Sequence, residues 1–222
     1  MKIYTRHFLV SATNIPAIAP RKKGRPLSFD RDAALHKAML LFWEHGYEAT
    51  SLSDLTSALG VTPSSIYSAF GDKKGLFLDA VGLYLSGPVT LETILAQAHS
   101  ARAAVQTMLE GAAVAFTGDA TPSGCLLASA ALSCSESAAE VRQTLGALRQ
   151  GMEAQLRDRI LLDVERQELL QDVDADALAG MTMAVIQGMS TAARDGAPRE
   201  KLLRIAAAAL AGNHVMRTQL PL

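Results

Sequence analysis

The sequence predicts an all-α protein, and three observations favour that fold class. Of the 222 residues, 49% are hydrophobic and only 5% are aromatic, so the core must consist mainly of Ala, Leu, Val and Met. In bulk these residues favour helix over sheet. Apolar residues also recur at the three- and four-residue spacing of an amphipathic helix. Finally, no run of strand length alternates between apolar and polar residues.

The composition excludes several classes of protein. No stretch of about 18 apolar residues without charges is present, which excludes a membrane-spanning protein. The apolar run near the N-terminus is too short for a secretory signal. Residues 1–23 are therefore predicted to be a disordered basic leader, and a misassigned start is the alternative. Cys125 and Cys134 are too few for a disulfide framework, and a cytoplasmic chain with reduced thiols is expected.

The charge is distributed unevenly along the chain, although the net charge is only -1. Residues 1–25 contain six Lys and Arg and no acid. Residues 86–222 contain eleven Lys and Arg against fifteen Asp and Glu. A basic end on an acidic body suggests contact with a polyanion at that end. The alternative is a solvated tail that aids solubility.

The first two predicted helices follow the leader. Asp30 can cap the first helix, which ends at Gly46. Ser51 with Asp54 can cap a second, short helix, which ends at Gly60.

Two more short helices follow at once. Thr62 supplies a capping hydroxyl and Pro63 occupies the first helical position of the third helix, which ends at Phe70. A fourth helix begins at Lys73 and continues through Tyr84.

The rest of the chain also has helical periodicity, with fewer breaks. Helices are predicted at about 89–116, 121–134, 136–162, 174–194 and 198–217. The connections between them are short, which favours a packed helical bundle.

Residues 52–70, LSDLTSALGVTPSSIYSAF, have the pattern of a helix-turn-helix spanning about 51–70. Gly60 and Val61 form the turn between two short amphipathic helices, and the second helix of such a motif enters the DNA major groove. Its outward positions hold hydroxyls that suit base edges and phosphates. These positions are Thr62, Ser64, Ser65, Tyr67 and Ser68.

The continuation resembles the DNA-binding domain of TetR-family transcriptional regulators. Residues 66–77, IYSAFGDKKGLF, match the end of that domain, with Tyr67, Phe70, Lys73 and Leu76 in register. Residues 41–47, LFWEHGY, match its opening helix. The resemblance covers about residues 24–88 and implies a three-helix helix-turn-helix domain. It also implies that residues 89–222 form a helical domain for ligand binding and dimerisation.

The resemblance assigns roles to single residues. Tyr67 and Lys73 are expected to contact phosphates, and Lys73 begins a helix whose amide groups favour an anion. For Lys73 the alternative is a solvated surface lysine. Thr62, Ser64, Ser65 and Ser68 form the expected groove-facing set. The basic segment around Arg25 is expected to reach an adjacent minor groove, or else to be a tail with nonspecific attraction.

The second domain is expected to form a homodimer and to bind an apolar small molecule. The last two helices are rich in small residues that allow close helix packing, although an ordinary Ala-rich core within one chain has the same composition. The effector pocket is assigned to the middle helices, which carry few charges. The pocket residues are Met108, Ala112, Phe116, Cys125 and Leu126.

Cys125 follows a Gly turn near a predicted helix start. A helix N-terminus lowers the pKa of a thiol, so a reactive cysteine is one interpretation of this position. A buried, inert thiol is the alternative and the commoner case.

No enzyme activity, cofactor or metal site is predicted, because the sequence shows no phosphate loop, no nucleophile–base set and no paired metal-ligand spacing. The expected function is sequence-specific DNA binding by a regulator that reads a palindromic operator. Release of a repressor by a small-molecule effector is the expected mode, with the fourth helix as the lever. The alternative is a helical adaptor protein with an incidental helix-turn-helix, which would lack salt-dependent binding to DNA or heparin.

Overall fold

The computed structural model describes residues 29–87, 89–130 and 138–212, and within these ranges the protein is all-α, as predicted. The helices are α1 (Arg31–His45), α2 (Leu52–Leu59), α3 (Pro63–Phe70), α4 (Lys73–Leu85), α5 (Leu91–Gln97), α6 (Ala101–Ala115), α7 (Leu126–Ser129), α8 (Ala139–Glu165), α9 (Ala175–Arg194) and α10 (Arg199–Gly212). The leader, with Arg25, and Cys134 lie outside the described residues. None of the described helices is both long and apolar enough to span a membrane.

Side-chain caps determine where the first four helices begin, at the positions predicted from the sequence. Asp30 accepts hydrogen bonds from the amides of Asp32 and Ala33 at the start of α1. Ser51 and Asp54 form a reciprocal capping box on α2. Each cap satisfies amides that have no partner inside the helix, so each boundary is set locally by sequence.

The prediction of one helix over 89–116 is wrong, because the chain breaks between α5 and α6. A buried ion pair on α8 holds both ends of this break. Arg159 donates to the carbonyls of Leu95 and Ala98, at distances of 2.7 and 2.9 Å, at the C-terminal end of α5. Asp163 accepts from the amide of Ala101 at the start of α6. The cation thus meets the negative end of one helix and the anion meets the positive end of the next.

Other helix boundaries differ from the predicted ones. In place of the helix predicted at 121–134, only the single turn α7 occurs up to residue 130, and residues 131–134 lie outside the described part. The helix predicted at 136–162 runs instead as α8, from Ala139 to Glu165. The last two helices agree with the prediction, except that residues 213–217 are not described.

One contiguous hydrophobic cluster connects the N-terminal helices α1–α4 with the C-terminal helices α5–α10. In the N-terminal part, α1 packs along α4, and both contact α7 of the C-terminal part. Trp43 on α1 is buried, and its ring meets Tyr84 of α4 edge to face at 4.9 Å between ring centres. The fold therefore places the α2–α3 pair at one end of the molecule, on a base of α1 and α4.

Candidate DNA-binding surface and effector cavity

The α2–α3 pair has the geometry of a helix-turn-helix. Gly60 ends α2 in the left-handed conformation, with φ of 68°, which a residue without a side chain adopts without strain. Ile66 and Phe70 turn the inner face of α3 into the core. The short turn and the buried inner face fix the direction of α3, so its other face points to solvent.

The residues predicted at the outward positions of α3 fall into two groups. Ser64, Tyr67 and Ser68 are exposed on α3, and half of the Tyr67 side chain, 51%, is open to solvent. Thr62 is exposed but caps α3: its hydroxyl accepts from the Ser65 amide and lies 2.8 Å from the Ser64 hydroxyl. Ser65 is half-buried and its hydroxyl also lies within 3.0 Å of Thr62. Thr62 and Ser65 thus hold the first turn of α3.

Lys73 is anchored beside the α2–α3 pair. Its Nζ lies 4.5 Å from the centre of the Tyr47 ring, a cation–π geometry, and donates to the carbonyl of Glu48 at 3.5 Å. The next cap, Asp72, accepts from the amide of Gly75. The first turn of α4 is therefore fixed in place with an ammonium group at its start.

Gly75 is a positioning residue that the sequence reasoning missed. A Cβ at this position would lie 2.1 Å from the carbonyl oxygen of Phe70, so no other residue fits without moving α3 or α4. The close approach ties the end of α3 directly to the start of α4. A glycine two residues after the lysine was the signal that could have revealed it.

The surface of this N-terminal part is not basic. Residues 29–87 contain four Lys and Arg against seven Asp and Glu, and α3 itself carries no charge. Arg31 pairs with Asp79 at 2.5 Å, and Lys74 pairs with Glu140 of α8. The positive charge expected of a DNA-binding end therefore lies in residues 1–25, which contain six Lys and Arg and no acid.

A small apolar cavity of about 20 Å³ lies between the C-terminal helices. It is lined by Leu91, Ile94, Met108, Ala112, Phe116, Met152 and Ile186. Of the five predicted pocket residues, Met108, Ala112 and Phe116 line it. Cys125 and Leu126 are buried elsewhere, at the start of α7. This volume holds about one water molecule, so a larger ligand requires the surrounding helices to move apart.

Four lining residues come from elements that the sequence reasoning did not include. Leu91 and Ile94 lie on α5, Met152 on α8 and Ile186 on α9. The α5 pair was missed because 89–116 was interpreted as one helix. Thr90 and Ser100, which cap α5 and α6, were the signal for the break.

Cys125 is buried, which agrees with the commoner of the two interpretations of this position. The thiol is buried and accepts a hydrogen bond from the Tyr84 hydroxyl at 3.4 Å. Burial raises the pKa of Cys125 above its usual range, because the thiolate would lose its hydration. Burial likewise raises the pKa of Tyr84. The backbone amides at the start of α7 lower the pKa of the Cys125 thiol, but by less than burial raises it.

Comparison with known proteins identifies the family. Residues 34–80 match the family model described as "Bacterial regulatory proteins, tetR family", and residues 101–209 match "Tetracyclin repressor-like, C-terminal domain". The HTH-type transcriptional repressor ComR of Escherichia coli K12 is 35% identical over 201 residues, which cover 90% of this chain and 96% of ComR. The chain belongs to the TetR family.

Solved structures of TetR-family proteins share the whole fold. A cysteine variant of the regulator CifR, solved with a 26-base-pair operator DNA, is 38% identical, with a TM-score of 0.78. The match covers 85% of this chain and all of the CifR chain. A regulator from Rhodococcus sp. RHA1 is also 38% identical, with a TM-score of 0.57 and coverage of 82% of this chain and 98% of that chain.

Membership of the TetR family decides between the functions that the sequence left open. The protein is a DNA-binding transcriptional regulator with a helix-turn-helix, not an enzyme. The adaptor interpretation fails, because the relatives match the C-terminal helices as well as the helix-turn-helix. The α2–α3 pair lies within residues 34–80, the part of the chain that matches the TetR-family model.

Proposed function

We propose that this TetR-family protein is a homodimeric repressor that binds a palindromic operator in the cytoplasm and leaves it when a small apolar effector enters the C-terminal helices. ComR, its relative, is named a transcriptional repressor, and CifR was solved with operator DNA. The observation that carries the proposal is the outward face of α3. Ser64, Tyr67 and Ser68 stand exposed on a short helix whose opposite face is buried.

This face suits DNA by its chemistry. Hydroxyl groups donate to and accept from base edges and phosphate oxygens alike, and a phenol reaches farther than a serine. Tyr67 and Lys73 lie at the two sides of the turn between α3 and α4, where the backbone of one DNA strand would pass. The anchored ammonium of Lys73 would meet a phosphate oxygen as a point charge at the start of α4.

The leader supplies the electrostatic part of the affinity. Without it, residues 29–87 carry a net negative charge, which by itself repels phosphates. The cluster at 21–25 holds four Lys and Arg within five residues, directly before α1. A basic arm in the minor groove beside the α3 site would reverse the balance of charge at this end.

The dimer is proposed to form through the outer faces of α9 and α10. Exposed residues recur on α9 at helical spacing: Ala177, Met181, Ala184, Gly188 and Thr191. Exposed Leu203, Ala207 and Ala211 continue the small apolar surface on α10. Other small or flexible residues of these helices, Ala179, Met183, Met189 and Ala206, are buried in the protein's own core. The small residues of α9 and α10 therefore belong partly to the proposed dimer face and partly to the protein's own core.

The effector is proposed to expand the cavity between α5, α6, α8 and α9. The lining is apolar throughout. An apolar molecule that leaves water for this cavity gives up few hydrogen bonds, so its transfer carries little penalty. Pockets for small-molecule ligands have volumes of about 300–1,000 Å³, far more than this cavity offers. Binding would therefore displace helices, and the displacement would change the distance between the two recognition helices of the dimer.

The test is selection from a pool of random-sequence duplexes by the full-length protein, followed by footprinting of the enriched sequence. A two-fold symmetric site with half-sites about one helical turn apart is expected. Deletion of residues 1–26 should weaken binding to any duplex and reduce the slope of log affinity against log salt by about 0.9 for each phosphate that the leader no longer neutralises. Failure to enrich any palindrome, with the dimer intact, would overturn the proposal.

A further inference from the structure

The end of α9 is attached directly to the end of α1. The guanidinium of Arg194 donates to the carbonyl oxygens of Trp43 and Glu44, at distances of 3.1 and 2.9 Å. These carbonyls belong to the last turn of α1, where helix carbonyls commonly accept from capping groups outside the helix. A cation at this negative end is also favoured by the helix dipole. Arg194 thus caps a helix of the DNA-binding part from the last residue of a helix of the regulatory part.

A second connection lies beside the first. The indole of Trp43 donates to the carbonyl of Gly124 at 3.2 Å, and the amide of Cys125 donates to the hydroxyl of Ser190 on α9 at 2.8 Å. A Cβ at Gly124 would lie 2.9 Å from the backbone oxygen of Ser190 and from the Arg194 side chain. The segment Gly124–Cys125 is therefore wedged between α9 and α1. We call this segment with Trp43, Ser190 and Arg194 the α9–α1 clamp.

The clamp also touches the cavity. The amide of Gly124 donates to the carbonyl of Phe116, a cavity residue, at 3.0 Å. Ile186, another cavity residue, precedes Ser190 by one helical turn, and Ser190 precedes Arg194 by one turn. Residues four apart lie on the same side of a helix. A single stripe of α9 therefore runs from the cavity wall to the end of α1.

We infer that Arg194 is a positioning residue for DNA recognition: through the α9–α1 clamp it fixes the DNA-binding helices on α9, and the clamp passes a change in the cavity on to α1. This inference rests on the proposed function and adds a route to it. If α4 alone transmitted the change from the cavity, breaking the clamp would not affect DNA binding. In the clamp mechanism the spacing of the two recognition helices depends on α9, the same helix that is proposed to join the two subunits.

The test compares Arg194→Met with Arg166→Met in the full-length dimer. Met keeps much of the aliphatic length of Arg but removes the donors, and Arg166 is a matched exposed arginine at the end of α8. The probes are the duplex that the wild-type protein selects, the same duplex with one base pair inserted at its centre, and a random duplex. One inserted base pair moves the half-sites apart by about 3.4 Å.

Arg194→Met is expected to weaken binding to the selected duplex by about tenfold, since two charge-assisted hydrogen bonds are removed. It should also reduce the ratio of the affinity for the selected duplex to the affinity for the duplex with the inserted base pair. The affinity for the random duplex and the mass of the dimer should stay unchanged. Arg194→Lys, which can reach one carbonyl at a time, should restore part of the preference. Arg166→Met should behave as the wild type.

The role of the cavity is tested by a double-mutant cycle. Ala112→Leu overfills the cavity and takes the place of an effector, so it should weaken binding to the selected duplex. In the Arg194→Met background the same change should have a much smaller effect, because the route is already broken. Fully additive effects would overturn transmission through the clamp.

The outcomes separate the inference from the function on which it rests. If the wild type selects no palindromic duplex, the proposed function fails before any variant is compared. If it does select one and Arg194→Met keeps wild-type affinity and spacing preference, the positioning role alone is overturned. Equal weakening on the selected and random duplexes would also overturn it, since that result indicates a general loss of structure.

Discussion

The ammonium group of Lys73 is held where α3 meets α4, by the ring of Tyr47 and the carbonyl of Glu48. These contacts restrict the long side chain before DNA arrives, so less conformational entropy is lost on binding. The Thr62 hydroxyl, which caps α3, likewise fixes the first turn of that helix before DNA binds. Residues that hold each other in place thus preorganise the surface that is proposed to contact DNA.

We predict that Lys73→Ala weakens binding to the selected duplex by about tenfold and lowers the salt slope by about one, because the protein then neutralises one phosphate fewer. Fluorescence anisotropy at several salt concentrations measures both quantities. Lys201→Ala is the matched control, since Lys201 is an exposed lysine in the first turn of α10. An unchanged slope for Lys73→Ala would contradict the assigned interaction with phosphate.

Buried Cys125 and Tyr84 predict a loss of stability in alkali. In the unfolded chain these groups ionise near their ordinary pKa values, 9.0 and 10.0, whereas burial raises both pKa values in the folded protein. Above about pH 9 the folded state therefore binds more protons than the unfolded state, and the free energy of unfolding falls as the pH rises. Below that range their contribution is complete.

Urea unfolding at neutral pH and at about pH 10 measures this fall. Tyr84→Phe keeps the ring against Trp43 but removes the phenol, so the fall should become smaller. Tyr67→Phe changes an exposed phenol and serves as the control, with a fall like that of the wild type. An equal fall in both variants would show that Tyr84 does not contribute.

At the scale of the helices, the break between α5 and α6 is the clearest departure from the sequence prediction. Periodicity continues across it, and only the caps Thr90 and Ser100 mark the two helices. The partners that fix the break come from α8, more than fifty residues away along the chain. A pattern of local spacing cannot reveal such partners.

Replacing Asp163 by Ala should lower the free energy of unfolding by about 3–5 kcal/mol, because it leaves the buried Arg159 charge without its partner. Asp158→Ala removes an acid that pairs with Arg157 at the surface, and it should change stability by about 1 kcal/mol or less. Equilibrium unfolding in urea measures both. Similar values for the two variants would refute the holding role of the buried pair.

For the whole molecule, the cavity, the clamp and the proposed dimer face all involve α9. Its inner side lines the cavity and holds the clamp, while its outer side carries the small apolar face proposed for the dimer. Because one rigid helix takes part in the cavity, the clamp and the proposed dimer face, a small rotation of α9 would displace groups at the subunit interface and at α1. This arrangement explains why a ligand far from α3 can affect DNA binding.

Gly188→Glu should convert the dimer to monomers that no longer bind the selected duplex. A Cβ at Gly188 meets nothing within 4 Å in the protein's own chain, so the fold of the monomer should survive. In the dimer, however, the charge would be buried against the partner. Gly146→Glu on α8 adds the same charge at an equally open glycine and should stay dimeric. Sedimentation showing a Gly188→Glu dimer would contradict the proposed interface.

The sequence by itself determined the helical class, the first four helices and the α2–α3 motif, because these depend on local spacing and on caps within a few residues. It also determined the family, since Tyr67, Phe70, Lys73 and Leu76 stand in register. Tertiary structure alone decided the α5–α6 break, the shape of the cavity and the inert state of Cys125. It also decided the contact of Arg194 with α1, across about 150 residues. Each of these features depends on which residues, distant in sequence, share a buried environment. Burial is a property of the folded chain and does not follow from the residues adjacent in sequence.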